Sequence, residues 1–149
     1  MKILMVCLGN ICRSPLAEGI LAHKTQHLNI VVDSAGTAGY HVGNLPDSRS
    51  IGIADKYGVN LRNQKARKFS RTDFEKFDII YAMDKSNYAH LISLAKNKEE
   101  RSKIRMILNE INPNSCESVP DPYYGGENGF QNIYNILDKA CNKIVEQIG

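Results

Sequence analysis

Lys2-Ile3-Leu4-Met5-Val6-Cys7-Leu8-Gly9-Asn10-Ile11-Cys12-Arg13-Ser14-Pro15 is the stretch that decides the fold. Lys2 to Val6 is a continuous apolar run of strand length, as expected for a strand covered on both faces. Cys7 to Ser14 reads as a short loop. Ser14-Pro15 reads as a helix start, with Ser at the N-cap and Pro at the first helical position, where its missing N–H costs nothing. Leu16 and Ile20, with His23 and His27, mark one face of that helix. A loop between a strand end and a helix N-terminus is an anion site, because free backbone N–H groups and the helix dipole point into it. Gly9 and Asn10 tolerate positive φ, so successive amides through Ile11 and Cys12 can curl into a concave nest. The chain has no G-x-G-x-x-G and no G-K-[ST] at this place, which points to a loop for one phosphate rather than for a nucleotide tail.

Outward from this loop, β-branched residues mark a second strand near Ile30 to Ala35. Gly36, Gly39, Gly43 and Pro46 punctuate a loop over 36–46. Asp47 is placed to cap a helix running to about Tyr57, which Gly58 ends. Asp78 to Ala82 reads as a strand, Ser86 to Ala95 as a helix and Ile104 to Leu108 as a further strand. Residues 112–128 carry Pro113, Pro120, Pro122 and Gly125-Gly126 and read as a long loop, which inside a compact domain is often functional. Phe130, Ile133, Ile136, Leu137, Ala140, Ile144 and Ile148 recur at helical spacing and predict an amphipathic last helix. Strands alternating with helices indicate an α/β fold, a mainly parallel sheet with helices on both faces.

The 149 residues suit one domain spanning 1–149. A net charge of +3 permits attraction to anions. It does not predict nucleic-acid binding, because no stretch mixes clustered Lys and Arg with aromatic residues. Lys65 to Arg71 is locally basic and reads as a solvated loop. The apolar start is too short to span a membrane, and Asn10 and Arg13 follow it in place of a cleavage site, so the expected location is cytoplasmic. In a reducing compartment the four cysteines are expected to be reactive or buried rather than paired. His23, His27, His41 and His90 lack metal-ligand spacing, and no metal or cofactor is expected.

Within the nest, Cys7 should ionise well below the usual thiol value near 8.5, as thiols at helix N-termini do. Arg13, six residues on, offers a planar fork that can hold two phosphoryl oxygens. Ser14 has two open roles: capping the helix, or offering its hydroxyl to the Cys7 sulfur. Cys12 is either a redox partner for Cys7 or a small apolar loop residue. A phosphate monoester also needs a proton for its leaving oxygen. Asp121 is the candidate donor, held extended by Pro122, with Tyr123 and Tyr124 beside it as a possible aromatic slot. Taken alone, Asp121-Pro122 is only a turn signal.

V-C-L-G-N-I-C-R-S-P at the start, D-S-A-G-T-x-G-Y with G-N-x-P-D in the middle, M-D-x-S-N around Asp84 and D-P-Y-Y-G near the end occur in order along the chain. With them the sequence resembles the low-molecular-weight protein tyrosine phosphatases. The resemblance implies a four-stranded parallel sheet flanked by helices, and phosphotyrosine-containing proteins as substrates, with phosphate and other oxyanions as inhibitors. It implies Cys7 as nucleophile, Arg13 as phosphate binder, Asp121 as general acid and Ser14 as thiolate stabiliser. Leu8, Tyr40 and Tyr123 fall where the family lines its aromatic slot. Asn10, held by Ser34, is implied to keep the loop in shape, and Cys7 and Cys12 are implied to be able to pair. One departure is Gln64, where many members have a histidine bonding Asn10; Gln64 is expected to donate to Asn10 without carrying charge.

Three other readings compete. An arsenate reductase of this fold needs two further cysteines after the third strand, and Asp78 to Lys103 contains none. A cysteine phosphocarrier needs no Asp121 and no arginine-closed loop. A silent phosphotyrosine-binding module is expected to have lost Cys7 or Asp121, and both are present.

Overall fold

The computed structural model describes residues 1–122 and 128–148. The first strand, β1 (Lys2–Cys7), is central and pairs in parallel with β2 (Val31–Gly36) on one side and β3 (Ile79–Ala82) on the other. The fourth strand, β4 (Ile104–Met106), pairs in parallel with β3, which gives the order β2-β1-β3-β4. The chain leaves β1 for one neighbour and later returns to the other. The C-terminal end of β1 is therefore a topological switch point, where open α/β sheets bind ligands.

Strand side chains alternate between faces, and β1 is buried on both. Ile3, Met5 and Cys7 belong to the core shared with α1 (Arg13–Lys24), α2 (Ser48–Asp55) and α6 (Gly129–Ile148). Leu4 and Val6 join the opposite core with Phe74 of α3 (Asp73–Lys76) and Leu91 of α4 (Lys85–Leu94). The sheet thus has helices on both faces, as the alternation of strands and helices predicts. The continuous apolar run has the same cause: a strand with no solvent face needs no polar alternation.

Several boundaries differ from the sequence reading. Helix α1 starts two residues earlier, at Arg13, with Cys12 at its N-cap and no side-chain cap. Its buried stripe is Leu16, Ala17, Ile20 and Leu21, whereas His23 and His27 are exposed. Asp47 does cap α2, accepting from the Arg49 N–H, and Gly58 closes that segment at φ 73°. Two short helices, α3 and α5 (Lys98–Lys103), were not read from the pattern. The fourth strand ends at Met106, and Ile107 and Leu108 belong to a 3-10 turn over Ile107–Glu110 that buries the same apolar side chains in another backbone form. No helix among the described residues is long and apolar enough to cross a membrane.

Candidate active site

Residues 8–12 link the end of β1 to the start of α1, and the neighbouring strand fixes their path. Thr37 N–H donates to the Cys7 carbonyl and Ala38 N–H to the Leu8 carbonyl, each at 2.9 Å. The loop crosses Gly36 so closely that a Cβ there would lie 2.7 Å from the Leu8 oxygen. A side chain at 36 would therefore displace the loop itself. From the other side, Asp47 N–H donates to the Ile11 carbonyl at 2.7 Å, tying the loop to the entry of α2. Asn10 sits at φ 57°, in the left-handed region that asparagine tolerates better than most residues.

Three bonds hold Asn10 there. Its Oδ1 accepts from Arg67 N–H at 3.0 Å, and its Nδ2 donates to Ser14 Oγ at 2.8 Å and Ser34 Oγ at 2.9 Å. Ser14 is fully buried, and its Oγ lies 3.0 Å from the Cys7 sulfur. Of the two roles open for Ser14, the structure adopts the contact with Cys7; the hydroxyl faces the loop and makes no helix cap. Arg13 is buried too. Its Nη1 donates to Asp84 Oδ2 at 2.9 Å and to the Val119 carbonyl at 3.1 Å, which locks the guanidinium plane between β3 and the 112–122 segment.

A cavity of about 110 Å³ opens over this loop, lined by Cys7, Leu8, Gly9, Ile11, Cys12 and Arg13 and, opposite them, by Tyr40, His41, Asp121 and Pro122. Drug-sized ligands occupy pockets of roughly 300–1,000 Å³, so this one suits a single small anion with an open mouth. Leu8 and Tyr40 stand exposed at the rim, and Cys7 is nearly inaccessible at the floor. Cys7 and Cys12 are both buried. Tyr123, the third rim residue expected from the sequence, lies outside the described residues.

A strand-end thiol at the floor of a small cavity, with a locked arginine beside it and a carboxyl across it, has known counterparts. The family model described as low molecular weight phosphotyrosine protein phosphatase matches residues 2–149. The chain belongs to that family. A low molecular weight phosphotyrosine protein phosphatase of Schizosaccharomyces pombe is 40% identical over 147 residues, covering 95% of this chain and 93% of that one. A crystal structure of a protein tyrosine phosphatase from Entamoeba histolytica, with Hepes in its active site, superposes with a TM-score of 0.90 at 38% identity over 99% and 96% of the two chains. A Drosophila arginine phosphatase superposes with the same TM-score at 34% identity, over 99% and 98%. The α/β class and the four-stranded parallel sheet expected from the sequence are those of this phosphatase family.

Gln64 corrects one expectation. It does not bond Asn10; its Nε2 donates to the Pro15 carbonyl at 3.1 Å, on the first turn of α1. Asn10 has no use for it, since the Arg67 N–H already serves Oδ1 and both amide hydrogens are committed to serines. The basic run 65–71 is also less solvated than expected. The Arg67 guanidinium pairs with Asp33 and Asp73, each at 3.0 Å, and joins that run to β2 and α3.

Two residues at the phosphatase site were not singled out from the sequence as site residues. Asp84 anchors Arg13 and also caps α4, accepting from Asn87 N–H at 2.7 Å. Its signal was its place, two residues past the end of β3 on the ligand-binding edge of the sheet. His41 lines the cavity and packs on Gly9, where a Cβ would meet its ring at 3.0 Å. Only its adjacency to Tyr40 in the 36–46 loop hinted at it.

One carboxyl near the loop is strongly perturbed. Burial pushes Glu18 from its ordinary 4.5 up to about 7; a hydrogen bond from Ser34 opposes the rise, Asp33 adds to it and Arg67 reduces it. Between those two values the folded protein binds more protons than the unfolded chain. This group's contribution is therefore full below about pH 4.5 and is lost as pH rises through about 7. The difference amounts to at most roughly 3 kcal/mol. Thermal unfolding followed from pH 5 to pH 8 should show stability falling in the wild type and falling less in Glu18→Gln. Equal slopes in the two proteins would show that another group carries the dependence.

Proposed function

We propose that the chain, acting as a single domain, hydrolyses the phosphate monoester of tyrosine in proteins through a phosphocysteine on Cys7. What carries this reading is the gathering of Cys7, Arg13 and Asp121 around one small cavity. The Cys7 thiolate attacks phosphorus, and the bond from phosphorus to the tyrosine oxygen breaks. Amides of residues 8–13 and the Arg13 fork take the charge on the three equatorial oxygens. Asp121 supplies a proton to the departing phenolate oxygen. It then takes a proton from the water that attacks the phosphocysteine, which releases inorganic phosphate and regenerates the thiolate. Leu8 and Tyr40 at the rim give an aromatic ring apolar surface to lie on. That favours a phenyl ester over the phosphoguanidinium substrate named for the Drosophila relative.

The proton donor gives the test. A phenolate of low pKa leaves with little protonation, whereas the tyrosine phenol needs it. Asp121→Asn should lower kcat for phosphotyrosine by about 10² to 10⁴ and for an activated nitrophenyl ester by less. The measurement is a leaving-group series on both proteins in EDTA, with a phosphoarginine peptide alongside. A parallel drop across all leaving groups would show that Asp121 only shapes its loop. Turnover of phosphoarginine alone would transfer the reading to that substrate.

A further inference from the structure

A line of hydrogen bonds leaves the phosphate loop, crosses β2 and ends on α1, and its direction follows from counting donors. Because Arg67 N–H occupies Asn10 Oδ1, both amide hydrogens of Asn10 lie on the serine side, one on Ser14 Oγ and one on Ser34 Oγ. Each serine oxygen therefore accepts from Asn10 and keeps its own proton to give. Ser34 gives it to Glu18 Oε1 at 2.6 Å. Ser14 has the Cys7 sulfur at 3.0 Å, and its proton is the one available for that contact.

We propose that Glu18 is the positioning residue that sets this direction: by accepting the Ser34 proton it holds Ser34 as an acceptor for Asn10, and so leaves the Ser14 proton aimed at the Cys7 sulfur. The inference rests on Cys7 being the nucleophile. Without an acceptor at 18, the Ser34 hydroxyl is free to turn its proton toward Asn10, where it meets another donor. Asn10 then loses one of the bonds that hold it at positive φ, and the Ser14 hydroxyl loses its fixed orientation.

The surroundings of Glu18 suit a permanent acceptor. It is half-buried on α1, one turn after Ser14. Asp33 on β2 and Arg67 on the 56–72 segment are the charged groups that act on it, and His23, further along α1, lines with it a second cavity, separate from the one over the phosphate loop. With its carboxyl pushed up to about 7, the group carries a proton part of the time at neutral pH. Gln64, whose buried Oε1 has no hydrogen-bond partner among the described residues, lines that cavity as well. In either form one carboxyl oxygen remains for Ser34, so the role survives protonation.

The test compares Glu18→Leu, Glu18→Gln, Ser34→Ala and the Glu18→Leu/Ser34→Ala pair with the wild type. Two quantities are read: the pH dependence of Cys7 alkylation by iodoacetate, and kcat and KM on para-nitrophenyl phosphate. Glu18→Leu should raise the pH of half-maximal alkylation by about one unit and lower kcat about tenfold with little change in KM, the size of one lost hydrogen bond to a charged group. Glu18→Gln keeps an oxygen acceptor and should recover most of both. Ser34→Ala cuts the same link, so adding Glu18→Leu to it should change little more. A wild-type alkylation profile in Glu18→Leu, or effects of Glu18→Leu and Ser34→Ala that simply add, would overturn the assignment. If Glu18→Leu does not fold, Ser34→Ala decides, and an unshifted profile there has the same consequence. Alkylation reads the Cys7 sulfur without turnover, so a wild type inactive on aryl phosphates would refute the phosphatase reading and leave this comparison intact.

Discussion

Cys7→Ser should lose turnover of phosphotyrosine by at least about 10⁴-fold while still binding phosphate or vanadate. The reason is the chemistry of the nucleophile. A sulfur nucleophile attacks phosphorus without a general base, and the Ser14 hydroxyl lies 3.0 Å from the Cys7 sulfur. A serine hydroxyl in the same position would have to lose its proton first. Ser14, the group in contact with it, already receives a hydrogen bond from Asn10 and is set to donate its own proton. The oxyanion site is a separate matter. In the proposed reading it rests on backbone amides and on Arg13, which Asp84 and Val119 hold in place whether or not a sulfur sits at position 7. Competition of phosphate against a phosphotyrosine peptide, measured by calorimetry on the variant, checks the second half of the expectation. Residual turnover above a trace would mean that phosphorus is not attacked by Cys7. Loss of phosphate binding along with turnover would mean that the substitution had collapsed the loop, and Cys7→Ala would then separate the two effects.

The parts of this molecule legible in the sequence are those set by short-range chemistry. An apolar run, a glycine-containing loop and Ser14-Pro15 specify strand, turn and helix within fifteen residues. The C-terminal helix likewise carries its own periodicity, and α6 follows it over Gly129–Ile148. Helices α3 and α5, with 4 and 6 residues, are too short to be stable by themselves; α3 is held by the burial of Phe74, and α5, with no buried residue, by its Asn97 cap. No hydrophobic periodicity announces such elements. Ile107 and Leu108 show a related gap. Apolar composition signals burial, and it does not say whether the buried backbone is strand or 3-10 turn.

The site divides in the same way. Cys7, Arg13 and Ser14 lie on one continuous segment, so their spacing could be read directly. Asp121 could be nominated because its neighbour is proline, but only the fold brings it over the loop, 114 residues from Cys7. Partner choice was not legible where one donor had several acceptors to choose from. Gln64 is near enough in type to a histidine to be assigned to Asn10, yet the Arg67 backbone takes that acceptor and Gln64 turns to the Pro15 carbonyl. Glu18 escaped notice for a similar reason. On α1 it reads as an ordinary helical surface residue, and its meaning comes from Ser34, which the parallel pairing of β1 and β2 carries to it.

Arg13→Lys should lower kcat by on the order of 10²–10³-fold and change KM far less. The argument is one of geometry at constant charge. In the wild type the two hydrogens of Nη1 go to Asp84 Oδ2 and the Val119 carbonyl, and in the proposed reading the fork for phosphoryl oxygens is formed by Nε and Nη2. The anchor and the substrate contacts thus use different nitrogens of one rigid plane. A lysine has a single nitrogen at the end of four rotatable bonds. It can stay with Asp84 or turn to the phosphoryl group, and it cannot make two parallel bonds to the latter. Charge alone still attracts the dianion, so ground-state binding survives. What is lost is the paired contact that tightens as charge spreads over the equatorial oxygens in the transition state. The partly buried Asp84 carboxylate, part of whose pairing is removed, adds a cost in stability, which thermal unfolding should record beside the kinetics. The decisive readout is the split between kcat and KM on a phosphotyrosine peptide. A near-normal kcat with a raised KM would reduce Arg13 to a source of positive potential, and the stabilisation of the transferring phosphoryl group would then fall to the backbone amides of residues 8–13.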